Sequence, residues 1–246
     1  MLVDRIYYEL KLLGKKALLT PLLLIIGFVL LAFILNARHV DPARTLLGGV
    51  EMMIPIAIGS MVGTVIAQDP ALELQLTVPR KYHRTGVLRF LCLLVLGVVL
   101  SVIYINTLAA VHMLYLPKFT QQWSPLGLFL VIQLIWLAPL LWCMAAGGCF
   151  SLLLQSRTAG VALLCAIWIA EIVFKDFIAL SDWLRPLLLF PATLVGFPPT
   201  NATPQQYNIY FLQPHYKLLA ITALILIIGW LLLRNAESML KGSIEE

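Results

Sequence analysis

Two acids stand inside long apolar runs of this 246-residue chain, Glu51 and Glu171. A charged side chain at mid-helix depth in a bilayer costs about 2.5–3.5 kcal/mol on insertion scales, so such a residue has either a partner or a task. Lys175 follows Glu171 by one helical turn, and the two can pair on one face. Pairing or snorkelling is one reading of Glu171; a position on a polar path through the membrane, or at its gate, is the other. Glu51 has no partner at helical spacing, so hydration near the end of its run stands beside the same path-lining reading.

Other chemistry finds little support. The chain has no GxSG, no HExxH and no P-loop, which excludes those routes to serine or zinc proteolysis and to ATP hydrolysis. His39, His83, His112 and His215 fall in expected loops or at the ends of apolar runs, poorly placed for a haem pair or a zinc ion. No spacing supports a dyad of Ser60 with His215. The four cysteines, Cys92, Cys143, Cys149 and Cys165, form no CxxC pair and read as small buried hydrophobes.

A second constellation is polar. Residues 69–85, DPALELQLTVPRKYHRT, carry Arg80, Lys81, His83 and Arg84 between two apolar runs. Asp69 suits an N-cap and Pro70 a first helical position, while Pro79 ends any helix begun there. The alternation in LELQLTV suggests a strand by period alone, but a strand here would have no sheet to join. The expectation is a short helix of about two turns, followed by a basic cluster suited to anionic lipid or an acidic protein surface. Leu72 and Leu76 would share one side, Glu73 and Thr77 the next, Leu74 and Val78 a third.

These residues must be held by membrane helices. Mean hydropathy is +0.94, and 61% of residues are hydrophobic against 12% charged, so the chain belongs to the all-α integral membrane class. A span takes about 20 apolar residues, and six runs qualify: 20–37, 46–67, 87–112, 125–154, 157–175 and 217–233. All 246 residues form one transmembrane domain. The net charge of +5 gathers at run ends, which is a topology signal and not a nucleic-acid surface. With the N-terminus inside, eleven Lys and Arg fall on inner segments and six on outer ones. Both termini and 69–85 are therefore expected on the cytoplasmic side.

Residues 1–19 divide into an apolar side with Leu2, Ile6, Leu10 and Leu13 and a polar side with Arg5, Glu9, Lys15 and Lys16. They read as an interfacial amphipathic helix, either a generic anchor or an elbow that touches a cytoplasmic partner. They are too basic, and lack the exit, for a cleaved signal. Residues 176–216 form the long outer segment, cut by Pro186, Pro191, Pro198, Pro199, Pro204 and Pro214. Its apolar part suits a re-entrant or interfacial hairpin, and Trp183, Tyr207, Tyr210 and Phe211 suit the headgroup layer. Gln133, Asn106 and Ser151 could bond between helices, while Pro55, Gly59, Gly63, Pro139, Gly147 and Gly148 permit kinks or close packing.

Taken together, six spans, a basic N-terminal helix, a cytoplasmic helix between spans two and three and a long segment before span six resemble the transmembrane subunit of an ABC-2 type ABC transporter. The local match is LELQLTVPRKYHR: an acid, a hydrophobic pair, a proline and basic residues, met here by Glu73, Leu74, Leu76, Pro79, Arg80 and Arg84. A glycine-threonine pair ahead of the hydrophobic residues, common in that family, is absent. The resemblance implies that this helix, begun by Asp69, is a coupling helix seated in a groove of a separate ATPase subunit. It further implies two ATPase copies that hold ATP and Mg, a second permease subunit (the same chain or a paired one), and residence in the plasma (cell inner) membrane among lipid. The chain itself would bind no cofactor or metal and would be a non-enzymatic exporter subunit. An intramembrane enzyme, or a regulatory subunit without its own pathway, are the alternatives.

Overall fold

Helix starts are set locally. Asp41 Oδ1 accepts the N–H of Ala43 at 2.9 Å, Ser124 Oγ that of Gly127 at 3.2 Å ahead of Pro125, and Ser156 Oγ that of Ala159 at 3.3 Å. Thr203 and Gln206 form a reciprocal capping box around Pro204. Each satisfies a backbone donor that the first helical turn leaves free.

The computed structural model describes residues 2–39, 41–67, 82–110, 116–181, 183–194 and 202–242. Among them, regular structure is helical throughout. We name α1 (Leu2–Ala37), α2 (Ala43–Gly48, a π turn Gly49–Met53, then Ile54–Ala67), α3 (Tyr82–Ala110), α4 (Pro125–Leu153), α5 (Arg157–Leu180), the single turn α6 (Pro191–Leu194) and α7 (Pro204–Tyr207, a π turn Asn208–Leu212, then Gln213–Gly242). Among the described residues five stretches are long and apolar enough to cross a membrane: Leu19–Ala37, Ala43–Ile66, Thr85–Ala110, Pro125–Leu153 and Pro204–Arg234. The run expected at 157–175 lies on α5, which is not among those five; Glu171, Lys175 and Asp176 interrupt its last turns. It packs on the bundle through Gly160 against Ser151 and, eleven residues on, through Glu171 against Leu189.

Several expected boundaries differ. The amphipathic stretch 1–19 and the first span are not two helices, because α1 continues through Pro21 without a break. At 36 residues it is about 54 Å long, well beyond a hydrocarbon layer of roughly 30 Å. The last helix starts at Pro204 and not near 217: Pro204 occupies a first-turn position where its missing N–H costs nothing. The outer segment is therefore shorter than 176–216. Residues 82–85, assigned to the basic hairpin, are already helical, so the backbone of Arg84 sits in the first turn of α3. Asp69, Glu73, Leu74, Leu76, Pro79 and Arg80 lie outside the described residues.

Both π turns precede a proline. One ends at Met53 and the other at Leu212, two residues before Pro55 and Pro214. A proline inside a helix lacks a donor and its ring collides with the carbonyl four residues back; a wider turn there relieves the collision while the helix continues.

α2 and α4 form the centre. About two thirds of the crossing stretch of α2 is buried, against 11% for α1. Their contact is made by small residues: Gly59 and Gly63, one turn apart on α2, face Cys143, Gly147 and Ser151 on α4. A Cβ on Gly59 would stand 2.5 Å from the Cys143 carbonyl oxygen, and one on Gly147 would strike the Gly59 carbonyl. Backbones this close maximise dispersion, the main attraction available where lipid is as apolar as side chains. Among the described residues the expected interhelical polar contacts do not form: Asn106 Nδ2 donates to Val102 O and Trp136 Nε1 donates to Gln133 Oε1, each within one helix, and Ser151 Oγ meets no partner. Leu23, Leu30, Phe33, Val95, Ile103, Phe177 and Leu224 cover the exterior, so the bundle is apolar outside as well as inside.

Gly147→Ala is expected to lower stability by about 1–3 kcal/mol through overpacking. Gly27→Ala, where a Cβ meets nothing within 4 Å, should stay within about 0.5 kcal/mol. Unfolding of both variants in detergent micelles, compared with the parent, checks the pair.

Candidate functional site: a plug held by two carboxylates

At the end of the bundle that carries Glu51, the chain between α5 and α7 turns inward. Leu188, Leu189, Phe190 and Ala192 are all at most 3% exposed; the first three pack in one cluster with Met52, Trp142, Cys143, Leu164 and Leu218, and Ala192 joins a second with Leu46, Leu47, Val50 and Tyr207. We call residues 185–194 the plug. Irregular backbone at this depth survives only if the protein supplies its hydrogen bonds.

The supply can be followed residue by residue. Ser181 O accepts from Leu184 N at 3.1 Å and Arg185 N at 2.9 Å, and a 3₁₀ turn over Arg185–Leu187 satisfies the N–H groups of Leu187 and Leu188. The N–H of Leu189 donates to Glu171 Oε2 at 2.9 Å. Pro191 has no N–H to satisfy. The N–H of Ala192 donates to Glu51 Oε1 at 2.9 Å, and both the N–H and the hydroxyl of Thr193 donate to Glu51 Oε2. Leu194 N closes the turn on Phe190 O at 2.9 Å. At the far end Arg44 Nε donates to Thr193 O and a terminal guanidinium nitrogen donates to Leu194 O, each at 2.9 Å.

Arg44, Gly48 and Glu51 are spaced one and two turns apart on α2 and present one face to the plug. A Cβ on Gly48 would stand 3.3 Å from Thr193 Cγ2, so a small residue lets Thr193 approach between the acid and the base. The charges match the ends they meet: the carboxylate takes the donors at the start of α6 and the guanidinium takes its last carbonyls. Arg185 does the same for α5, with Nε on Ala179 O at 3.0 Å and its guanidinium 5.1 Å from the ring centre of Tyr210.

These contacts replace the hydration reading of Glu51 and the Lys175 pairing of Glu171. Glu51 is fully buried and not hydrated; its three donors all come from Ala192 and Thr193, over a hundred positions along the chain. Glu171 holds Leu189 and not Lys175. The two candidate path or gate residues therefore meet the same short segment from opposite helices. Arg44 and Thr193 were not anticipated, although the spacing Arg44–Gly48–Glu51 was a legible sign of one crowded helix face.

Beside the plug, Tyr207 stacks on Phe211 at 4.9 Å between ring centres, Phe211 lies 4.6 Å from His215, and Phe119 and Trp123 meet Tyr207 edge-on at 5.5 and 6.0 Å. Tyr207 and Phe211 are buried inside the bundle, while Trp183 and Tyr210 are exposed. His215 is also fully buried inside α7, with Nδ1 2.6 Å from Phe211 O. Ser60 Oγ donates to Ala57 O at 2.7 Å, so neither residue is turned to the other as a dyad. Tyr104 Oη donates to Leu46 O at 3.0 Å next to the first π turn.

Comparison of the chain with family models, curated proteins and solved structures finds no match.

Glu51→Ala would leave two buried backbone donors and a hydroxyl without an acceptor, at about 1–3 kcal/mol for each orphaned group. Thr193→Val should cost about 1 kcal/mol. Hydrogen exchange at the amides of Ala192 and Thr193 is expected to accelerate strongly in Glu51→Ala and weakly in Thr193→Val; equal exchange in the two would contradict the clamp.

Proposed function

We propose that this chain is the permease subunit of an ATP-driven ABC-2 type exporter, with six spans counting α5 and with both termini in the cytoplasm. The observation that carries the proposal is the layout of α2. One end of this central helix holds the plug, and the other leads into the basic stretch 68–81 and so to α3. On the positive-inside assignment the plug lies at the outer face and the basic stretch at the inner face. A helix with a gate-like segment at one end and a protein-docking segment at the other is what a mechanical coupler requires.

The local reading of 69–81 has a precedent within the chain. Asp41-Pro42-Ala43 recurs as Asp69-Pro70-Ala71, and the first copy precedes a helix whose first N–H, that of Ala43, donates to Asp41 Oδ1. Asp69 is assigned the same role for a short coupling helix. On it Leu74 and Leu76 would enter a groove of the ATPase, and Glu73, Arg80 and Arg84 would pair with its rim. Two ATPase subunits, each with ATP and Mg, would close and drag two such helices, which fits a dimer of permease chains in the plasma (cell inner) membrane. The plug, gripped by Glu51 and Glu171, takes the place of an outer gate.

The chain purified from its native membrane in mild detergent is expected to bring with it a soluble ATPase bearing Walker motifs. Charge reversal by Glu73→Lys or Arg80→Glu should cut ATP-dependent transport at least tenfold while the spans remain inserted. Absence of any ATPase from the purified assembly, or labelling of Leu74→Cys from the outer medium, would sink the proposal.

A further inference from the structure

α4, α5, α7 and the plug line a half-open cleft of about 300 Å³, room for roughly ten water-sized groups, whose rim includes the exposed side chains of Phe174 and Leu187. Its walls include Trp142, Phe174, Ile178, Leu218 and Ile221, and the one ionisable side chain among the lining residues is Glu171. That carboxylate is only half used: Oε2 holds the N–H of Leu189, and Oε1 accepts no bond from any described residue. Lys175, a turn away, does not line the cavity.

The lining selects a class of ligand by elimination. An anion would meet a carboxylate and no positive group. A sugar would leave most of its hydroxyls without partners, at a cost for each buried polar group. A neutral hydrocarbon would fill the space but leave the acid unanswered. A positively charged head with an apolar body meets every feature: the free oxygen of Glu171, the aromatic side chains of Trp142 and Phe174, and aliphatic walls for the remainder.

We propose that this cavity binds an amphipathic organic cation, its ammonium head against Glu171 Oε1 and its apolar part between α4 and α7. Because Glu171 also anchors Leu189, an occupant would sit against the plug itself. As a binding site the cavity stands on its own geometry; as a site for exported cargo it rests on the exporter reading above.

The test uses the full chain in lipid nanodiscs, with empty nanodiscs subtracted, and three probes of equal chain length: octyltrimethylammonium, 1-octanol and octyl sulfate. The cation is expected to bind at least tenfold more tightly than either of the others. Glu171→Gln keeps an oxygen for the Leu189 N–H and removes the charge, so it should abolish that preference while leaving octanol binding unchanged. Equal binding of the three probes by the parent chain, or an undiminished preference in Glu171→Gln, overturns the proposal. If the variant unfolds, the preference shown by the parent chain decides alone. An ATPase that co-purifies with a chain showing no preference for the cation would leave the exporter reading intact and remove this one; preference without an ATPase would do the reverse.

Discussion

A peptide group cannot be left bare in an apolar interior, and the shape of this protein around residues 185–194 follows from that constraint. Helices meet it internally; a segment interrupted by Pro186 and Pro191 cannot. Ordered water is the solution available at an aqueous surface. Here fixed polar side chains substitute for it: Glu51 and Glu171 accept from Ala192, Thr193 and Leu189, and Arg44 donates to the carbonyls of Thr193 and Leu194. The cost of burying those polar groups is offset because each meets an unsatisfied donor or carbonyl at an end of α6 or along the plug. The acids and the irregular segment thus need each other, and neither would be tolerated at that depth alone.

The remainder of the bundle keeps this arrangement rigid. Gly59, Gly63 and Gly147 bring α2 against α4 backbone to backbone, which fixes where Glu51 projects. The π turns at Gly49–Met53 and Asn208–Leu212 let α2 and α7 pass Pro55 and Pro214 as continuous helices. The first of these turns contains Glu51, so the helix irregularity and the clamp coincide in three dimensions.

Much of the architecture was legible in the residues. Apolar run length located the long helices, and Gly59, Gly63, Gly147 and Pro55 were correctly marked as sites of close packing or altered helix geometry. The plug lies in the stretch read as a re-entrant or interfacial hairpin. What the linear reading lacked was pairing over distance: Glu51 finds donors 141 and 142 residues away, which no helical spacing reveals, and the tempting neighbour of Glu171 at one turn, Lys175, was not the one chosen. Proline was read too simply as an interruption. Pro204 starts a helix because Thr203 and Gln206 cap it, and Pro214 is accommodated by the wider turn before it.

The glycine contact has a consequence for motion. With the carbonyls of Gly59 and Cys143 where any added carbon would collide, α2 has no slack to slide or roll over α4. The smallest body able to swing is then a wedge made of both helices and the segment pinned to them. If the two helices move as one body, a tilt applied near Ala67 reaches Thr193 at the opposite end of α2.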